Sequence, residues 1–115
     1  MPLRHSFAAS LSACMTAAVL SFAPGAAQAE ATGLDLAKAK NCLACHQVTQ
    51  KVVGPSYQSV AQRYAGQPDA VDHLVNSIRE GSAKRWGAIP MPAQKAMVSP
   101  DEAKQLAQWI QAQKP

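Results

Sequence analysis

"NCLACHQV", Asn41–Val48, is the stretch whose reading decides this protein. Cys42 and Cys45 stand three apart, and His46 follows the second cysteine directly. Three chemistries use such a pair: a thiol–disulfide couple, a metal site, and covalent attachment of a haem. The rest of the chain discriminates among them.

A redox pair of the thioredoxin kind sits at the start of a helix that follows a strand. Here the motif follows a helical stretch, in a chain with no strand pattern. A structural zinc site needs four ligands. Cys42, Cys45 and His46 supply three, and His73 is the only further histidine beyond the first 29 residues. The haem reading uses every residue of Cys42-Leu43-Ala44-Cys45-His46 that carries chemistry. Two thiols add across the haem vinyl groups, and the adjacent histidine turns a ring nitrogen onto the iron. The residues favour this reading, with zinc and chance occurrence as the alternatives.

The first 29 residues read as a cleaved secretory signal. Arg4 and His5 precede an apolar run from Phe7 to Phe22, Pro24-Gly25 breaks it, and Ala27-Gln28-Ala29 offers the small-x-small cleavage pattern. A membrane span needs about 20 unbroken apolar residues, and Ser6, Ser10, Ser12, Thr16 and Ser21 interrupt this run. Export to a bacterial periplasm is the expectation, and haem is attached to such proteins outside the cytoplasm. Residues 30–115 then form one domain of 86 residues. A core of that size is near the limit of what protein alone sustains, so a cofactor, metal or disulfide is expected to assist. Cys14 falls in the leader, and one close pair of cysteines closes too short a loop to stabilise much. Beyond Arg4, ten basic residues face seven acidic ones, a net charge of +3. No basic run occurs, so nucleic-acid binding has no support.

The periodicity is helical throughout. Leu34 to Ala39 reads as a short helix with Thr32 as N-cap, and Ser56 to Tyr64 as a second, stopped by Gly66. Pro68 and Asp69 open a third, whose Val71, Leu74, Val75 and Ile78 share one face before Gly81 ends it. "SPDE" starts the fourth with a capping box of Ser99 and Glu102 and with Pro100 at the first helical position. Its inward face is Ala103, Leu106, Ala107 and Ile110. Between Gly81 and Ser99 lies a long segment of neither period, and loops of that length are usually functional.

That segment contains "IPMP". Pro90 and Pro92 fix the backbone on both sides of Met91, presenting its thioether rigidly as a candidate second iron ligand. A methionine that merely packs is the alternative. Met97 is the rival ligand, but its place beside the capping box reads better as a staple-like apolar contact. Tyr57, Tyr64 and Trp109 read as packing residues, and His73 as a solvated histidine. Val52, Val53, Ile89 and Ala93 flank the cofactor loops, and the lysines scattered along the chain keep it soluble or steer an acidic partner.

"CLACH", "VVGPSYQSVAQRYAG", "WGAIPMP" and "SPDEAKQLAQWI" together resemble the small bacterial class I cytochromes c of the c-551/c-552 type. The resemblance covers nearly all of residues 30–115. It implies an all-α fold of about four short helices wrapped around one haem c, attached through two thioether bonds and ligated by His46 and Met91. It implies that the Pro55 carbonyl holds the free ring nitrogen of His46, and that the Trp86 indole bonds a haem propionate. Gln94 stands near where a side-chain amide touches the methionine sulfur in that family. The segment from Met91 to Ser99 is about two residues longer than the family pattern. The resemblance further implies a soluble, monomeric periplasmic electron carrier and not an enzyme, without a membrane anchor. Its donor would be a quinol-oxidising complex or dehydrogenase, and its acceptor a terminal oxidase, peroxidase or nitrite reductase. A haem enzyme or gas sensor with an open iron, and a permanently bound subunit of a larger complex, are the competing classes.

Overall fold

The computed structural model describes residues 26–114. Four α-helices carry the fold: α1 (Ala26–Ala39), α2 (Tyr57–Arg63), α3 (Ala70–Glu80) and α4 (Pro100–Gln111), with a 3-10 turn at Cys42–Ala44. Among the described residues there is no strand, only two isolated antiparallel bridges, His46–Lys51 and Ser82–Met91. The all-α expectation holds. Residues 1–25, most of the expected leader, lie outside the described residues.

Helix α1 corrects one expectation. Its described part begins at Ala26, so Thr32 lies inside the helix and does not cap it. The run "AAQAEA" consists of strong helix formers, which carry the helix past the polar residue. It ends at Ala39, and Asn41 turns the chain with φ of +60°, a conformation asparagine tolerates better than most residues. The turn delivers the two cysteines.

The other helices begin where the side chains dictate. The Ser56 hydroxyl accepts the Ser59 N–H at 3.1 Å to cap α2. At α4 both bonds of the capping box form, with Ser99 Oγ accepting from the Glu102 N–H and Glu102 Oε2 accepting from the Ser99 N–H. Helix α3 is different, since Asp69 precedes it without a side-chain cap bond. Tertiary packing holds it: Ala70, Leu74 and Ile78 are buried, with Val71 and Val75 half-buried beside them.

Helix α4 is the spine, packed against α1, α2 and α3. Ala103 and Ala107 let the neighbouring helices approach, while Leu106, 2% exposed, fills the space between them. Trp109 meets Tyr57 edge-on at 5.0 Å, joining α4 to α2. The apolar residue ahead of the capping box is Val98, 1% exposed, whereas Met97 is 54% exposed. The staple assigned to Met97 therefore belongs to Val98, because only the residue directly before the N-cap points under the first turn. Lys40 ties the α1 end to the α4 start, through Glu102 at 3.0 Å and the Met97 carbonyl at 2.8 Å.

Candidate functional site

The loops between these helices line a cavity that opens to solvent. Its floor is core: Leu74 and Ile78 from α3, Leu106 and Ile110 from α4, and Tyr57, Val60 and Tyr64 around α2. Its walls carry the residues singled out in the sequence. Cys42, Cys45, His46 and Pro55 line one part, and Trp86, Ile89 and Met91 another. One apolar space thus gathers all six candidate residues, from loops nearly fifty positions apart. Met97 is not among the lining residues.

The tight turn explains the first wall. Cys45 and His46 both donate their backbone N–H to the Cys42 carbonyl, at 3.2 and 3.0 Å, so both cysteines and the histidine belong to one turn. The two sulfurs are free, not joined in a disulfide. Burial pushes the Cys42 thiol above its ordinary pKa, which makes it a poor partner for thiol–disulfide exchange at neutral pH.

His46 is oriented by its surroundings. Its Nδ1 lies 2.8 Å from the Pro55 carbonyl oxygen. A carbonyl only accepts, so Nδ1 carries the proton and Nε2 keeps its lone pair free. Tyr57 stacks on the ring at 5.4 Å. Gly54 lies so close that a Cβ there would collide with the ring. The Cys45 carbonyl accepts the Gly54 N–H at 2.7 Å, fixing that approach.

Met91 is held by backbone hydrogen bonds. Ser82 and Met91 exchange both backbone hydrogen bonds, at 3.0 and 2.8 Å. Gln94 lines the cavity, but its side-chain amide donates to the Pro92 carbonyl at 3.1 Å. Beyond Met91 the chain makes a turn closed on Gln94, whose carbonyl accepts from the Met97 and Val98 N–H groups.

Several residues escaped the sequence reading. Arg63 lays its guanidinium 4.4 Å over the Trp86 ring and donates to the Arg85 carbonyl at 2.6 Å. His73 is partly exposed, as its place off the apolar face leads one to expect, but it also has protein partners. It packs against the Tyr64 ring at 4.7 Å, lies 3.0 Å from the Tyr64 hydroxyl, and contacts the Arg85 guanidinium. Burial, then the Arg85 charge, lowers its pKa below the ordinary value. Arginines 63 and 85 carry no periodic signal, and only the fold brings them to Trp86.

The residues fit a haem. The cavity is apolar in its depths, two free thiols stand three apart on its wall, and a histidine with an unengaged Nε2 adjoins them. Lys84 and Arg85 line it too, and neither has an acidic partner among the described residues, which suits a group carrying carboxylates. Among the described residues no group of three or more His, Cys, Asp or Glu could hold a metal ion.

Comparison with known proteins agrees. The cytochrome c family matches residues 30–114. The chain is 54% identical to cytochrome c-551 of Pseudomonas denitrificans over 79 residues, covering 69% of this chain and 94% of that protein. It is 51% identical to cytochrome c-552 of Nitrosomonas europaea over 86 residues, covering 75% and 80%. The crystal structure of wild-type Nitrosomonas europaea cytochrome c552 superposes with a TM-score of 0.68 at 49% identity, over 70% of this chain and 99% of that one. The class 1 cytochrome MtoD of Sideroxydans lithotrophicus shares the fold at 28% identity and a TM-score of 0.62, over 78% and 98%. The chain belongs to the cytochrome c family: it is a haem-based electron-transfer protein with one covalently attached haem c, built on the small all-α class I fold.

Proposed function

We propose that this protein is a periplasmic carrier of single electrons, with haem c tied by Cys42 and Cys45 and its iron ligated by His46 and Met91, and that it is not an enzyme. The observation that carries the reading is that His46 and Met91 line the same apolar cavity as the two thiols. The leader-like residues 1–29 support export.

When bound, the haem supplies a one-electron ferric/ferrous couple. The chain's own residues do the rest. The Pro55 carbonyl holds Nδ1–H of His46, fixing the tautomer that leaves Nε2 for the metal. Met91 offers a soft, neutral thioether that favours the ferrous state and raises the potential. Leu74, Ile78, Leu106 and Ile110 keep water from the ring. Trp86, stacked under Arg63, and the cations Lys84 and Arg85 line the same cavity and would hold the haem carboxylates.

Two permanent ligands leave no position for a substrate, which separates a carrier from a haem enzyme or gas sensor. Val53 and Ile89, exposed and at the cavity rim, give redox proteins an apolar approach to the cofactor. The donor is a quinol-oxidising complex or dehydrogenase, and the acceptor a terminal oxidase, peroxidase or nitrite reductase. No described helix is long and apolar enough to cross a membrane.

Carbon monoxide tests the proposal. The reduced wild-type spectrum should not change under the gas, whereas Met91→Ala should bind it at once. Rapid binding by the wild type would favour the enzyme or sensor reading. Gel filtration of the purified protein as a small monomer would separate a free carrier from a bound subunit.

A further inference from the structure

We propose that Gly81 is a positioning residue for Met91: the end of α3 forms a backbone clamp, with Ser82, that sets where the methionine sulfur stands. The inference rests on the reading of Met91 as the second iron ligand.

The loop residues around Met91 are laid across the C-terminus of α3 and held there by backbone. Ser82 N–H donates to the Met91 carbonyl at 3.0 Å, and Met91 N–H to the Ser82 carbonyl at 2.8 Å. Three residues on, Gln94 N–H caps the Ile78 carbonyl at 3.0 Å and Lys95 N–H caps the Arg79 carbonyl at 3.2 Å. Helix ends leave such carbonyls without partners, so the ligand loop completes α3 as α3 holds the loop. The ion pair of Lys95 with Glu80 at 2.9 Å reinforces the second contact.

Gly81 lies directly against the ligand loop. Its φ of 85° and ψ of 176° lie in a region essentially reserved for glycine. A Cβ there would stand 2.7 Å from the Met91 carbonyl oxygen, 3.0 Å from the Ala93 nitrogen and 3.3 Å from the Pro92 carbonyl carbon. All three are backbone atoms, which cannot swing aside as a side-chain end can. Any side chain at position 81 therefore pushes the loop at Met91 itself. A glycine after a helix is ordinarily read as a helix stop; here the space it leaves is occupied by the ligand's own peptide.

Two other glycines provide matched controls. Gly66 and Gly87 also have positive φ, at 76° and 127°, but a Cβ at either meets nothing within 4 Å. Alanine there brings the backbone strain without the collision. The experiment compares holoprotein carrying Gly81→Ala, Gly66→Ala or Gly87→Ala with the wild type. The readouts are the methionine–iron charge-transfer band of the oxidised form and the rate of carbon monoxide binding to the reduced form. All three variants should melt below the wild type. Only Gly81→Ala should weaken the band and bind carbon monoxide on the order of tenfold faster, the effect of a modest loss of ligand-bond free energy. A Gly81→Ala protein whose band and binding rate match those of the two controls overturns the clamp. A wild type with no such band overturns the ligation reading, and the clamp with it. Should Gly81→Ala fail to accumulate, hydrogen exchange on the wild type decides. Protected Ser82 and Met91 amides that open together support the clamp, and amides exchanging at the rate of free chain overturn it.

Discussion

The Nδ1–H of His46 donates to the Pro55 carbonyl at 2.8 Å, while Gly54, the residue before that proline, lies against the same imidazole. One short loop thus fixes the ring's tautomer and the side from which nothing larger can approach. Gly54→Ala should drive a methyl into the ring. The holoprotein should lose about 1–3 kcal/mol, as for overpacking in a filled site. Denaturant titration measures the loss, and the reduction potential should shift with the displaced ring. Unchanged stability and potential would show that the ring has room to move.

The cavity sets the second prediction. Leu74, Ile78, Leu106 and Ile110 face both the core and the space for the cofactor. Without the haem, helices α3 and α4 lose much of what holds them together, in a chain already near the lower size limit for a stable core. A Cys42→Ala, Cys45→Ala variant lacking haem should show little helical circular dichroism. Native-like helix content would show that the protein core suffices alone.

These two predictions mark what the sequence carries and what it leaves to the fold. The cysteine–histidine motif, the prolines around Met91 and the α4 capping box are local signals, fixed by spacing within a few residues. The start of α1 misleads because a polar Thr32 looks like a cap when the alanines before it are assigned to a leader. His73 lies off the apolar face of α3 and reads as solvated, with no local sign of its contacts. Its partners Tyr64 and Arg85 come from other segments, and no periodicity joins them. The close approaches of Gly54 to His46 and of Gly81 to Met91 are likewise distances between segments.

Arg63 supplies the third test. Its guanidinium covers Trp86 and bonds the Arg85 carbonyl, so it fastens the start of the ligand loop to α2. Arg63→Ala should cost roughly 1–2 kcal/mol, the sum of a stacked cation and a charged hydrogen bond. Arg63→Lys should recover only part, since an ammonium keeps the charge but not the plane. Chemical denaturation of the three proteins checks the order. Equal stability of all three would mean that the stack contributes nothing.

The pH dependence has two parts. His73 has a folded pKa below its ordinary 6.5, chiefly through burial and then through Arg85. The unfolded chain therefore binds the proton first, so this contribution is complete above 6.5 and is lost as pH falls through the folded value. Glu102 has a folded pKa below its ordinary 4.5, chiefly from the Ser99 N–H and then from Lys40. Its contribution is likewise complete above 4.5 and is lost on further acidification. Melting temperatures on a descending pH series should show a smaller decline below 6.5 for His73→Gln, and a smaller decline below 4.5 for Glu102→Gln. Curves parallel to the wild type would remove both residues from the account.

The near-infrared spectrum of the oxidised wild-type holoprotein tests the central claim most directly. A low-spin spectrum with a methionine–iron charge-transfer band, lost in Met91→Ala and kept in Met97→Ala, is the result predicted for iron held between His46 and Met91. A high-spin spectrum without that band, or a band that survives Met91→Ala, would contradict it.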